Sequence, residues 1–446
     1  MRKFISCLII LTLNPVLMLY PQEAGSERKN SPLSLDECIR ISMENNRQIL
    51  LVNEAANQAD AKYAEARARL FPSATITASY TRLDTVQSFE VMPGKSVEMG
   101  SLNNYKADLA LKQSVYMGDR IWAGIRSGKL GQLMSSTQKD DLVRAIVFQT
   151  KRSYYDVIFN EEIVRVNLTS EDVITAHLDD VVKQNREGMA SNYDVLRTQV
   201  QLSNIRTLRL QSQSNLQKSR LVLMSLMGLP LEDAANIKLT DRLVYTESMP
   251  TLFDLEENTF TNRPDLRSAQ IKIDLQKEMV KIAKAEHLPT VSISGSYGEE
   301  KPSRYLVGQD KWGDYWSLTA VLSIPVYEGG RVNARVRQEK SALQQAEILQ
   351  NDLKERIRLE LAQAVLGLKD SLALVMSQKD NVKQAAEGLR LVEIGYKNGA
   401  NTQLEVMDSQ MALDTASKNY VMSLYQYNLS LANLEMVTGQ IQNLKK

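Results

Sequence analysis

Tyr396-Lys397-Asn398-Gly399-Ala400-Asn401-Thr402 followed by Gln403-Leu404-Glu405-Val406-Met407-Asp408 decides how this chain is read, because it occurs twice. The earlier copy is Gln184-Asn185-Arg186-Glu187-Gly188-Met189-Ala190-Ser191-Asn192, continued by Tyr193-Asp194-Val195-Leu196. One offset of 211 residues carries Gly188 to Gly399, Asp194 to Glu405, Gln199 to Gln410 and Gly228 to Gly439. It also carries Val115-Tyr116-Met117-Gly118-Asp119-Arg120 onto Val326-Tyr327-Glu328-Gly329-Gly330-Arg331. A register kept over so long a stretch is an internal duplication. Each turn is then the tip of a helical hairpin, one per copy.

Outward from the tips the chain has no proline between Pro93 and Pro230, and none after Pro325. Residues 120–184 and 331–394 each read as one helix, on the order of 100 Å long at ~1.5 Å per residue. Shorter helices return from the tips over 193–227 and 404–437. The helix that precedes each strand pair is of similar length, so two half-helices stacked end to end match one long one. Leu413, Ala416, Tyr420, Leu424, Tyr427, Leu431 and Leu434 step by threes and fours, the spacing of a packed coiled-coil seam.

Ahead of each long helix the period changes from helical to two. Ser34 can cap a helix through Leu70, and Pro72 ends it. Ala74, Ile76, Ala78 and Tyr80 then alternate with Ser73, Thr75, Thr77, Ser79 and Thr81. A loop with Pro93 and Gly94 follows, and Tyr105, Ala107, Leu109 and Leu111 begin the return strand. After Pro289 the second copy repeats the pattern with Val291, Ile293, Gly295 and Tyr297, then with Trp316, Leu318, Ala320, Leu322 and Ile324. The strands are expected near 73–82, 104–116, 290–298 and 315–326.

Strands of about 9–11 residues, apolar on one face and hydroxyl-rich on the other, cross a bilayer when tilted. Tyr80, Tyr105, Tyr297 and Trp316 fall toward strand ends, where interfacial aromatics belong. Four strands cannot close a barrel, and an open edge in lipid is prohibitive. Three copies would close one of twelve strands.

Met1-Arg2-Lys3 followed by the apolar run Phe4–Tyr20 has the layout of a secretory signal peptide, assigned to residues 1–24. Residues 33–231 are the first repeat, 232–250 a linker and 251–440 the second repeat. Lys+Arg 54 against Asp+Glu 53 leaves a net charge of +1, which gives no electrostatic reason to expect nucleic acid as a partner. The two histidines, His177 and His287, stand far apart without acidic or cysteine neighbours in cluster. No catalytic or metal constellation can be built, so neither an enzyme activity nor a cofactor is expected.

The duplicated junctions Leu70-Phe71-Pro72 and His287-Leu288-Pro289, the stretch Val326–Arg331, and Gly399 followed by Leu404–Asp408 resemble the TolC family of outer-membrane efflux proteins. The resemblance covers 33–439. It implies a mixed α/β membrane protein: a homotrimer whose twelve-stranded β-barrel, four strands per chain, sits in the outer membrane and is continued by a long α-helical coiled-coil barrel in the periplasm. It further implies an exit duct of a tripartite efflux or type I secretion system, fed by an inner-membrane pump through a periplasmic adaptor. The adaptor would meet the tips at Gly188, Met189, Ala190, Gly399 and Ala400.

The family's acidic pore constriction falls here on Glu405 and Asp408. Residues three apart share a helix face, and three-fold symmetry would gather six carboxylates on the axis. The family's latch between hairpins falls on Asp194, Tyr396 and, where the best-known member has arginine, Asn401. A secreted or periplasmic coiled-coil scaffold is the competing interpretation. It accounts for the helices and the signal but not for two matched pairs of alternating strands.

Overall fold

The computed structural model of the chain describes residues 32–93, 95–247, 252–304 and 310–439. The signal assigned to residues 1–24 lies outside them. Two copies of one unit are built around α3, Arg120–Arg186, and α7, Arg331–Lys397, each 67 residues long. At ~1.5 Å per residue each is about 100 Å of unbroken helix. The return helices α4, Asn192–Met227, and α8, Gln403–Thr438, are 36 residues each and lie along the tip halves of α3 and α7. The other halves are covered by short helices stacked end to end.

In the first copy those are α1, Leu35–Asn45, and α2, Arg47–Ala68. The single helix expected from Ser34 to Leu70 is therefore two. Asn46 takes an extended ψ of 126°, and its side-chain oxygen accepts from the backbone N–H of Gln48, so one residue ends α1 and caps α2. Its amide also donates to the carbonyl of Leu226 at 2.8 Å, tying the break to the end of α4. In the second copy α5, Leu252–Asn262, and α6, Pro264–Ala285, are parted at Arg263, which the following proline holds extended.

Four strands form one antiparallel sheet: β1 (Ser73–Arg82), β4 (Asn103–Tyr116), β5 (Thr290–Lys301) and β6 (Gly313–Ser323), in that order. Ile76 faces Leu109, Leu109 faces Tyr297 and Tyr297 faces Trp316. The registers thus gather the apolar residues of all four strands on one face. Ile76, Leu111, Trp316, Leu318 and Leu322 are all exposed there. Ser and Thr share the other face with Lys106, Asp108, Lys112 and Glu300, while Glu299 and Asp314 stand on the apolar side toward its far end. Tyr80, Tyr105 and Trp312 stack at the end farthest from the helices, with ring centroids 4.9 and 6.0 Å apart. Among the described residues the outer edges of β1 and β6 have no partner strand.

The stretch around Pro93, expected as loop, contains a separate hairpin of β2 (Gln87–Met92) and β3 (Lys95–Met99). A proline turn flanked by Phe89-Glu90-Val91-Met92 was the available signal.

The stretch assigned as linker is not a bare connection either. Leu231–Asn236 forms a 3-10 turn, Leu239 bridges Leu33, and Ala234, Ile237 and Leu243 join the core of Cys38, Tyr154, Val157, Leu223 and Met227. Tyr154 donates from its hydroxyl to Asp241 at 2.7 Å. Residues 248–251 lie outside the described residues. A second core joins Leu361, Leu368, Val375, Tyr427, Leu434 and Val437 of α7 and α8, with Tyr420, Leu424 and Leu431 of the coiled-coil stripe packed on it. No helix among the described residues is long and apolar enough to cross a membrane.

Candidate functional site: the paired hairpin tips

Both tips are closed by the same local chemistry. Gly188 and Gly399 adopt φ of 75° and 73°, the left-handed conformation that ends a helix at little cost only for glycine. The N–H of Met189 reaches back to the carbonyl of Gln184, and that of Ala400 to Gly395, both at 2.8 Å. A polar cap then starts the return helix. In the first tip Ser191 and Asp194 form a reciprocal capping box, and in the second Thr402 and Glu405 do the same.

These boxes decide where the acidic side chains point. The Glu405 carboxylate accepts from the Thr402 backbone at 2.6 Å, from the Thr402 hydroxyl at 3.1 Å and from the Asn401 amide at 3.2 Å. Those bonds, the backbone one foremost, hold its acid below the usual carboxylate range. Asp408, one turn on, is exposed and makes no hydrogen bond or ion pair among the described residues. The two carboxylates expected to act together are in different states: Glu405 is turned back on its own cap, and Asp408 is free.

The contact between the hairpins is also built differently from the expectation. Asp194 and Tyr396 make no hydrogen bond. The Asp194 carboxylate accepts from the Ser191 backbone at 3.1 Å and its hydroxyl at 2.7 Å, because the orphan N–H at the helix start claims it. The phenol of Tyr396 instead donates to Oε1 of Gln184 at 2.8 Å. Burial raises the Tyr396 phenol above its ordinary value, and the nearby Asp194 charge adds to that.

A second bond lies deeper between the return helices. Nε2 of Gln403 donates to the hydroxyl of Thr198 at 2.6 Å and to the backbone carbonyl of Asp194 at 3.2 Å. Thr198 is fully buried and Gln403 is 8% exposed. Asp194 thus joins this contact through its main-chain carbonyl. Asn401 serves its own turn: its side chain fills the space beside Gly395, where an added Cβ would lie 1.7 Å from its Oδ1.

One further residue belongs here. The ring of His177 meets the Tyr396 ring edge-on at 6.0 Å between centroids, and its Nε2 is buried without a partner. Gln184, Gln403 and His177 carry no motif; only spatial neighbourhood marks them. Of the residues expected to meet an adaptor, Gly188, Met189, Gly399 and Ala400 are exposed and Ala190 is half-buried. Met189, Tyr193 and Leu196 present large apolar surface at the first tip. Among the described residues no group of three or more His, Cys, Asp or Glu is placed to hold a metal ion.

Comparison with known proteins follows the same outline. The family described as "Outer membrane efflux protein" matches residues 39–229 and 256–440. The chain is 20% identical over 413 residues to "Outer membrane protein TolC" of Vibrio cholerae, covering 92% of this chain and 91% of that one. It is 24% identical to "Pyoverdine export outer membrane protein OpmQ" of Pseudomonas putida, covering 91% and 86%. Its fold is similar to the solved outer membrane protein VceC of Vibrio cholerae, with a TM-score of 0.78, 15% identity and coverage of 91% and 96%. The CmeC outer membrane channel of Campylobacter jejuni gives 0.79, 15%, and 94% and 90%.

Proposed function

The chain belongs to the outer membrane efflux protein family and acts as an outer-membrane efflux duct with its helical barrel in the periplasm; from that premise we propose that it works as a homotrimer within a tripartite efflux or type I secretion system. The observation that carries the assembly is the sheet. Four strands turn one continuous apolar face outward, and β1 and β6 are left with unpaired edges. Hydrocarbon tolerates no such edge, so each β6 must meet the β1 of a neighbour until the ring closes. Three copies give twelve strands and bring six hairpins together below.

In this reading a periplasmic adaptor docks on the tips at Gly188, Met189, Ala190, Gly399 and Ala400, and an inner-membrane pump feeds the duct. The Tyr396–Gln184 and Gln403–Thr198 bonds hold the two hairpins of each chain together in the resting state, with Asp194 contributing its carbonyl. Asn401 stiffens the second turn. Asp408 is the carboxylate that faces the pore, and Glu405 adds fixed negative charge behind it. Together they favour cations at the entrance.

Planar bilayers test this with detergent-purified mature protein and its Glu405→Gln/Asp408→Asn variant. A small, cation-selective conductance that loses its selectivity in the variant is the expected result. A pore indifferent to the variant removes these residues from the constriction. Protein that stays soluble without detergent and opens no pore removes the duct.

A further inference from the structure

We propose, resting on the duct reading, that the extracellular end of the barrel lumen carries a charge-balanced collar of Lys106, Asp108, Glu300, Arg304 and Tyr315 that sets the ion selectivity of the exit. β1 rises from α2, so Ser73 marks the helix end of the sheet and Arg82 the far, extracellular end. The polar face opposite the lipid-facing one lines the lumen. Its side chains change abruptly along the way.

Near the helices the rows across the sheet are Ser73, Lys112, Ser294 and Thr319, then Thr75, Ala110, Ser296 and Ser317. Apart from Lys112 these are small. The next two rows are Thr77, Asp108, Gly298 and Tyr315, then Ser79, Lys106, Glu300 and Gly313. Val321 stands nearer the helices in the row of Ser114 and Ser292, and the remaining charged residues of the inner face, with Tyr315, fall in these two rows.

Ser303 and Arg304, which follow β5, add to the collar over the inner face. A Cβ added at Gly313 would share the face of Glu300, its partner across the sheet, and would lie 2.1 Å from the hydroxyl of Ser303. Ser303 therefore occupies the space above the inner face, and glycine leaves it room. It is 6% exposed, and its N–H donates to the carbonyl of Lys311 at 2.9 Å.

Arg304 follows it inward. Its guanidinium lies 4.1 Å from the centre of the Tyr315 ring and grips Glu300 through two nitrogens, at 2.5 and 2.7 Å. Lys106 lies 5.7 Å from the same ring and 3.4 Å from Asp108. Stacking and a two-point ion pair fix a guanidinium far better than either alone.

The collar holds two cations and two carboxylates per chain, so it is neutral as built and passes ions of either sign. Removing one member leaves one net charge per chain, repeated three times around a narrow, low-dielectric-walled lumen where fields are focused. The sign of the change then follows the sign of the residue removed.

The test is the reversal potential in a potassium chloride gradient across a planar bilayer, for wild type, Arg304→Gln and Glu300→Gln. Arg304→Gln is expected to raise the cation-to-anion permeability ratio severalfold, and Glu300→Gln to lower it below wild type. Asp108→Asn, which leaves the Arg304–Glu300 pair intact, is expected to move the ratio with Glu300→Gln and serves if Glu300→Gln fails to assemble. Variants that keep the wild-type ratio, or that all move it in one direction, overturn the collar while leaving the duct. Wild-type protein that opens no pore overturns the duct reading and the collar with it.

Discussion

The hydroxyl of Tyr396 donates to Oε1 of Gln184 at 2.8 Å, joining two helices whose contacting residues are 212 positions apart in the chain. Both groups are neutral, and the acid expected at this place, Asp194, is committed to its own helix start.

A neutral hydrogen bond of this kind contributes about 1 kcal/mol. Tyr396→Phe leaves Gln184 able to meet water, so single-channel conductance is expected to rise only slightly. Gln403→Ala removes two bonds from a buried position and is expected to loosen the closed tip by about 1–3 kcal/mol. Bilayer recordings of the two variants and their combination check the ranking. A larger jump from Tyr396→Phe than from Gln403→Ala would sink it.

His177 is expected to make the tip sensitive to acid. Burial lowers its basicity below the ordinary value, and this outweighs the nearby Asp180 on α3 and Glu393 on α7, which act the other way. Tyr396 is the ring it faces on α7. The closed contact therefore favours the neutral imidazole. Its stability is complete above about pH 6.5, where an exposed histidine is also neutral, and declines below that as the opened state takes up the proton. Conductance is expected to rise as the periplasmic side is acidified from pH 7 to 5, and to stay level in His177→Gln. Equal pH profiles for the two proteins would exclude the histidine.

Where α8 ends, Arg263 is 4% exposed, grips Asp265 through two bonds of 3.0 and 2.6 Å, and donates to Glu360 at 2.8 Å and to the carbonyl of Val437 at 3.3 Å. It thus satisfies a helix C-terminus as well as two acids. Arg263→Ala leaves the partly buried Asp265 with only Arg144, 3.8 Å away, and the Leu266 N–H, at a cost of up to about 3 kcal/mol. Burial pushes the Asp265 acid up, but its bonds to Arg263 and the charges of Arg263 and Arg144 carry it below its ordinary value. The stabilisation is therefore present above about pH 3.9 and fades as pH falls through the lowered value. Thermal melting followed by circular dichroism is expected to show a large loss for Arg263→Ala at pH 7 and a smaller one near pH 3.

On the sheet, Leu318 lies on the apolar face and Thr319 on the polar one, one residue apart. An arginine facing lipid near the bilayer centre costs about 2–4 kcal/mol. Leu318→Arg is expected to abolish outer-membrane assembly, read by heat-dependent gel migration, while Thr319→Arg assembles and changes conductance. Equal assembly of both would reverse the assignment of faces.

Strands and long helices were legible because their signals are local: alternation over Ser73–Thr81 and the absence of proline after Pro325 each lie within one element. The alignment of four apolar faces was not, since register is a relation between strands far apart in sequence. The β2–β3 hairpin was passed over because its proline turn reads equally well as loop. At the tips, Ser191-x-x-Asp194 and Thr402-x-x-Glu405 spell capping boxes openly, and those boxes decide where the acids go. Gln184 and Gln403 were silent, since an amide looks the same in a sequence whether it faces water or spans two hairpins.

The unpaired edges of β1 and β6 also fix an order of events. A lone chain has no resting place in a bilayer, because each edge would carry a column of unsatisfied peptide groups into oil. Association must then precede or accompany insertion. The yield of inserted duct depends steeply on how many chains arrive together, and the stability of one chain by itself has no meaning in the membrane.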